Sequence, residues 1–567
     1  MNSRSTILES LRSDSSVSVL IIGGGINGAG VFRDLVLQGI DVLLVDQSDF
    51  SSGTSASTSH MAHGGLRYLE YGDISLVREA VRERNLLIEN ASHYVHPLPT
   101  TIPIFKWHSG LLNALLKFLG LINKTVERGA ILIKIGLSMY DSFARSTSTV
   151  PRHSFMSKSE SLAQFPLLNP RLICTATYYD AFILSPERVC LELICDALEM
   201  GDHAQAVNYV SAVGAFDDSV RLRDELTGET YTVKPRLVIN AAGPWIDQVN
   251  RSLKRRTAFV GGSKGSHIVI DNQEIRNAIG DHEIFFENDD GRIVLICPIM
   301  NKILVGTSEL VWDDPDQVCC TPEEVDYFIA MIMKMFPQAN VSKDQIIFSF
   351  SGVRPLMSSQ STDRGSVSRD HRVSLLTPGD GVEYPIYTLA GGKWTTFRSL
   401  AEKVTDQALH ALGRTRQYST CDLAIGGGKN YPTNAEEEKL LLDNIIFETG
   451  FDSNRVKNLF DRYGSRASQV ASFIYGENNG NDSCLENHSG YSRGEIVFLT
   501  RCEHVLHLED LILRRTLIAM LGEISLGLIN ELSHVVGDEL GWSESTRKDE
   551  IKGVKSILVH KHGVKLS

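Results

Sequence analysis

Residues 17–22, Val-Ser-Val-Leu-Ile-Ile, form a short apolar run with β-branched side chains, the pattern of a parallel strand buried on both faces. Residues 29–38 read as a helix stopped by Gly39, and residues 40–45 as a second apolar strand closed by Asp46. Later apolar runs predict strands at 237–240, 266–270, 293–297 and 303–306. Residues 73–90 predict a charged amphipathic scaffold helix. In residues 109–122, Leu111, Leu112, Leu115, Leu116, Leu119 and Ile122 share one helical stripe. That stripe suits a core or dimer-contact helix; with Lys117 and Lys124 it also suits an element lying in a membrane surface. Beyond Leu423, Gly426-Gly427-Gly428 precedes helical stretches at 436–449, 493–506 and 513–530, so a small helical domain is expected over 425–567.

Between the first strand and helix lies Gly23-Gly24-Gly25-Ile26-Asn27-Gly28, which fits G-x-G-x-x-G at Gly23, Gly25 and Gly28. The glycines permit a tight turn and close backbone approach to a pyrophosphate, and the helix N-terminus offers N–H groups and partial positive charge. Asp46 closes the βαβ unit where ribose hydroxyls need an acceptor. The context predicts a dinucleotide site without separating NAD from FAD. The Ser/Thr-rich residues 51–59 would ordinarily be a surface loop; placed here, their hydroxyls can line phosphates and a flat ring.

Composition narrows the classes. Of 567 residues, 42% are hydrophobic and 22% charged, which excludes a disordered or fibrous chain. Lys plus Arg is 56 against 69 Asp plus Glu, a net charge of −13, which argues against nucleic acid as a partner. Nine scattered cysteines with no CxxC pair read as free thiols, Cys319-Cys320 included, and no metal site is expected. No secretion signal and no apolar run long enough to span a bilayer is visible, so a cytoplasmic location is expected, peripheral on the inner face of the membrane if the leucine stripe binds lipid.

The glycine motif and five further segments carry a resemblance. Gly23 to Gly30, His63-Gly64-Gly65-Leu66-Arg67-Tyr68-Leu69-Glu70, Ala242-Gly243-Pro244-Trp245, Lys264-Gly265-Ser266-His267, Ser351-Gly352-Val353-Arg354-Pro355-Leu356 and Gly391-Gly392-Lys393-Trp394-Thr395-Thr396-Phe397-Arg398 occur in this order. Together they resemble the FAD-dependent glycerol-3-phosphate dehydrogenase and oxidase family, as, less distinctively, does Leu508-Glu509-Asp510 before Arg514-Arg515-Thr516. The resemblance implies an α/β fold: an FAD-binding Rossmann-like domain of the glutathione-reductase or amine-oxidase type, interleaved with an antiparallel-sheet substrate domain, plus the C-terminal helical domain. The expected division is 1–106 with 150–250 and 346–410 for FAD, 107–149 with 251–345 for the substrate, and 425–567 for the cap. It further implies non-covalent FAD, oxidation of sn-glycerol 3-phosphate to dihydroxyacetone phosphate, a quinone acceptor (oxygen in oxidase members) and a homodimer.

Oxidising a secondary alcohol requires a base for the hydroxyl proton, a group for the developing alkoxide, and a phosphate clamp; the cofactor takes the hydride at its N5. Neutral imidazole suits the first role and guanidinium the others. By resemblance, His267 is the candidate base and Arg354 the group polarising the C2 oxygen, while Arg67, Tyr68, Arg369 and Lys393 are candidates for the phosphate. Flavin contacts implied are Gly23, Gly25, Asn27, Gly28, Asp46, Gln47, Thr54, Ser55, Ser57, Ser59, His63, Gly64, Ala242, Gly243, Trp245, Gly392, Thr395 and Thr396. Ser59-His60 stands where the family commonly has Ser-Lys, and Tyr179-Asp180 is followed by an apolar stretch where it commonly has acids before an Arg. Two readings compete: an amine- or amino-acid-oxidising flavoenzyme of the same fold, with Arg354 on a carboxylate, and a non-catalytic flavin sensor.

Overall fold

The computed structural model describes residues 4–66, 69, 73–107, 129–144, 150–288, 291–312, 314–357, 371–478 and 482–566. Arg67, Tyr68, Arg369 and the leucine stripe of 109–122 lie outside the described residues.

Strand Ser16–Ile22 runs parallel to Val42–Val45 on one side and to Thr230–Asn240 on the other. Leu20 and Ile21 are fully buried, as expected for a strand covered on both faces. Ile386–Ala390 and Arg372–Leu376 extend this sheet at one edge and Ala204–Val207 at the other. Helix Ile26–Leu37 packs on it, together with Pro186–Leu198 and Phe397–Ala411. The helix begins at Ile26, three residues before the position its apolar spacing suggests. The cause is steric: a Cβ on Gly28 would lie 1.8 Å from the Gly23 carbonyl oxygen, so the last glycine of the motif sits inside the first turn, against the strand end.

A second, mixed sheet contains Val95–Ile104, Cys174–Ile183, Glu283–Glu287, Ile293–Ile299, Lys302–Gly306 and Val260–Ile270. Ile346–Met357 pairs antiparallel with Val260–Ile270 along most of its length, which sets Phe350 opposite His267 and Arg354 opposite Ser263. Alternate residues of Val260–Ile270 face opposite sides. Ile268 and Ile270 join the core beneath helix Pro322–Met335, and Val269 joins the core shared with the C-terminal helices.

Helices Ala435–Thr449, Ser453–Tyr463, Ala467–Asn478, Arg493–Cys502, Leu526–Leu540 and Glu544–His560 form the C-terminal part. Two helical expectations change there. The helix expected over 493–506 ends at Cys502, before His504 with φ +56°. The helix expected over 513–530 is split into a short turn, Leu511–Arg515, and a helix whose first turn is capped by Ser525. Charge explains the break: Arg514 and Arg515 both turn toward Asp49 of the first sheet's loop, at 2.5 and 2.7 Å. Arg188 and Glu503 add a second buried pair between the two parts, at 2.8 and 2.7 Å.

Candidate active site

One cavity of about 2270 Å³ runs from Gly23 and Asp46 to His267 and Arg354. At its first end the backbone does most of the shaping. Gly23 has φ +109°, and its N–H donates to the Val45 carbonyl at 2.8 Å. The Asp46 carboxylate accepts the N–H of Gly24 at 2.7 Å and of Ser48 at 2.9 Å. Burial pushes this carboxyl up to about 6, against the pull of those two bonds. Gly25 precedes the helix without a side-chain cap of its own, and the Asn27 Oδ1 in the first turn is buried and without a hydrogen-bond partner. Ser55 Oγ accepts the Ile26 N–H at 3.0 Å, so the 51–59 loop folds over the helix start.

That loop also joins the two ends. Thr54 Oγ1 donates to the Val353 carbonyl at 2.7 Å and Ser57 Oγ to the Ser351 carbonyl at 3.0 Å, both on the strand that carries Arg354. Ser59 Oγ lies 2.8 Å from His267 Nε2. The loop is therefore an inner wall of the cavity, not a surface turn.

At the second end side chains dominate. The His267 ring stacks on Phe350, with centroids 4.9 Å apart and planes at 11°. A Cβ on Gly306, the residue beside it in register, would meet His267 Cδ2 at 2.0 Å, so only glycine leaves the ring this seat. Burial, and then the charge of Arg354, hold the imidazole well below its ordinary 6.5. It is neutral at pH 7, with Nδ1 buried and unpartnered. Arg354 Nη2 donates to Thr307 Oγ1 at 2.8 Å. Lys393 follows Gly391 and Gly392, at φ +75° and +99°, and lines the same cavity.

Of the residues singled out from the sequence, Gly23, Gly25, Asn27, Asp46, Gln47, Thr54, Ser55, Ser57, Ser59, His63, Ala242, Gly243, Trp245, Gly392, Lys393, His267 and Arg354 line this cavity. Gly28 packs on Gly23, Thr395 Oγ1 accepts the His63 N–H at 3.1 Å, Gly64 donates to Asp180 at 2.9 Å, and Thr396 is buried beside Thr395. Ala242 donates to Asn240 Oδ1 at 3.2 Å, and the Trp245 indole N–H to Asp316 at 2.8 Å. His60 points away from lysine-like chemistry: it is fully buried, its Nδ1 sits 3.0 Å from the Ile183 carbonyl, and burial takes it down to about 4.

Sequence reasoning missed the groups behind these walls. Asp180 takes the Tyr140 hydroxyl at 2.5 Å and lies 3.4 Å from Arg84, fixing the His63-Gly64 turn from below. Arg84 sits on a helix that reads as scaffold, and nothing in its local spacing points to a partner 96 positions away. Thr307 is likewise invisible without the pairing of three strands.

Comparison with known proteins identifies the family and the fold. The family model described as FAD dependent oxidoreductase matches residues 18–397, and that described as the C-terminal domain of alpha-glycerophosphate oxidase matches 418–547. A glycerol-3-phosphate dehydrogenase of Synechocystis is 30% identical, over 95% of this chain and 96% of its own. The aerobic glycerol-3-phosphate dehydrogenase of Staphylococcus aureus is 31% identical, over 82% of this chain and 81% of its own. The crystal structure of the glycerol-3-phosphate dehydrogenase from Bacillus halodurans complexed with FAD shares the fold. It superposes with a TM-score of 0.75 at 23% identity, covering 98% of this chain and 97% of that one.

Proposed function

This chain belongs to the FAD-dependent oxidoreductase family, among its glycerol-3-phosphate dehydrogenases, and we propose that the cavity oxidises sn-glycerol 3-phosphate to dihydroxyacetone phosphate with His267 as base. The observation that carries the assignment is the continuity of one cavity from the glycine turn to a buried neutral imidazole beside a guanidinium.

The residues fit FAD. Asn27 Oδ1 is a buried acceptor awaiting a donor, and the Gly23–Gly25 turn, packed so closely on Ala241, Phe50 and Ser55 that no Cβ fits, brings bare backbone to the cavity wall. Asp46 would take the ribose hydroxyls, the 51–59 hydroxyls and the start of helix Ile26–Leu37 would face the phosphates, and Ala242, Gly243, Trp245 and Gly392 would border the rest. Bound FAD supplies the hydride acceptor that no side chain provides.

The chain supplies everything else. His267 is unprotonated at neutral pH and can take the C2 hydroxyl proton. Ser59 at Nε2 and Phe350 against its face restrict the ring's orientation. Arg354 stays charged and stabilises the oxygen as its proton leaves. Lys393, with Arg67, Tyr68 and Arg369, is assigned to the phosphate. The parallel sheet is read as the cofactor half, the mixed sheet as the substrate half, and residues 425–567 as the cap.

Quinone as acceptor and assembly as a homodimer belong to the same proposal, as does docking at the inner membrane face. Trp107 and Ile131 are exposed, with Lys134 one turn along the same helix as Ile131, which suits a lipid surface. No helix among the described residues is long and apolar enough to cross a membrane. Flotation with anionic vesicles tests docking; protein that stays at the bottom of the gradient excludes it.

Stopped-flow reduction under nitrogen tests the reaction. Glycerol 3-phosphate should bleach the flavin, while amines and amino acids should not. The reverse pattern assigns the site to amine oxidation.

A further inference from the structure

We infer that Glu324 is a positioning residue that ties the segment bearing His267 to the segment that fixes Arg354. The inference rests on the roles proposed for those two residues.

Glu324 lies in the first turn of helix Pro322–Met335 and is 4% exposed. Its Oε1 accepts the hydroxyls of Ser266 at 2.8 Å and Ser308 at 2.5 Å. Its Oε2 accepts the Thr321 N–H at 2.9 Å and faces Lys264 Nζ at 2.7 Å. A carboxylate has about four lone-pair sites, and here all are used. Only the Thr321 contact serves the helix. Two of the others reach strand Val260–Ile270, and the third reaches the loop that follows strand Lys302–Gly306.

Those three lead to the site in one step. Ser266 precedes His267, and Lys264 lies on the same strand. Ser308 follows Thr307, whose hydroxyl accepts Arg354 Nη2 at 2.8 Å. Ser266 N–H donates to Ser308 Oγ at 2.9 Å, closing a ring between the two segments. Ser266 Oγ also lies 2.7 Å from Ser351 Oγ, on the strand that carries Arg354. The Lys264 ammonium is fully buried, donates to the Cys319 carbonyl at 2.6 Å and lies 4.3 Å from the Trp312 ring centre. It demands an anion, and the anion organises the hydroxyls. An amide in its place would turn a donor toward Lys264 or toward the serines.

The bland reading is that Glu324 only completes the capping box with Thr321. The FAD-loaded full chain separates the two. Histidine-ring ¹³C signals, with His267 assigned through His267→Asn, report position without substrate. Anaerobic flavin reduction at saturating glycerol 3-phosphate reports rate per bound flavin. Glu324→Ala should move the His267 signals and slow reduction about 10²-fold, with little change in half-saturation, as expected when reacting groups are displaced by an ångström or less. Thr321→Ala should lower the melting temperature but leave signals and rate in place. If Glu324→Ala does not fold, Ser266→Ala and Ser308→Ala cut the same ties singly and should each slow reduction. Unchanged signals and rate in Glu324→Ala, or in both serine variants, overturn the inference, as does Thr321→Ala reproducing the loss. A wild-type flavin that glycerol 3-phosphate does not reduce would sink the proposed function, while the ring signals still decide the positioning role.

Discussion

At the nucleotide end of the cavity the shaping groups lie between Gly23 and Asp46, and they act through backbone: a positive φ, a close helix–strand contact, two N–H bonds to one carboxylate. At the base end Ser59, His267 and Arg354 come from three distant segments and act through side chains. The first end depends on local geometry that a short motif can specify. The second depends on a sheet register that must form before its residues meet. The two ends should therefore break differently: at one, cofactor is lost, and at the other, rate is lost with cofactor in place.

The largest effect is expected at the base end. His267→Ala should slow flavin reduction by roughly 10²–10⁴-fold with FAD content unchanged, read by stopped flow. A full-rate variant would remove the imidazole from the mechanism. Next comes Asp49, where the comparison is tested from outside, since its carboxylate is held by arginines 465 and 466 positions away. Asp49→Asn leaves two buried guanidinium groups underpaired and should cost about 3–5 kcal/mol in denaturant unfolding. A smaller loss would mean that the C-terminal helices lean on the nucleotide loop only lightly.

Protonation gives the third. Burial takes His60, His504 and His562 down to about 4. The unfolded chain binds their protons below about 6.5, so their contribution is intact above that pH and fades as pH falls toward 4. Each is worth of the order of 3 kcal/mol across that window. Glu283, raised by burial to about 8, acts with the opposite sign, losing stability as pH rises. The difference between wild type and His60→Gln is therefore the clean readout: the variant should lose less stability between pH 6.5 and 4. The smallest effect is at Gly28. An added methyl must displace the Gly23 carbonyl, and overpacking of this kind costs about 1–3 kcal/mol. Gly28→Ala should weaken FAD binding roughly 10- to 10²-fold, in fluorescence titration, while the flavin that remains is reduced at the normal rate.

The same contrast explains what was legible in the sequence. The first strand, the glycine turn and Asp46 were readable because each requirement is met within a few residues. His267 and Arg354 were found only through resemblance to a family, since no spacing links positions brought together by antiparallel pairing. Residues 513–515 look like the start of a long helix because apolar periodicity does not register Arg514 and Arg515 reaching a buried carboxylate beside another sheet. The roles of Asp180 and Arg84 stay hidden in the sequence for the same reason: their partners lie on other elements.

The decisive structure is a crystal of the chain with glycerol 3-phosphate and FAD, grown anaerobically with the flavin already reduced so that the alcohol is not consumed. The isoalloxazine should lie between the 51–59 loop and Gly392, with the substrate's C2 hydroxyl in hydrogen-bond reach of His267 and of Arg354. A flavin seated elsewhere, or a C2 hydroxyl that neither residue can touch, would contradict the proposed reaction.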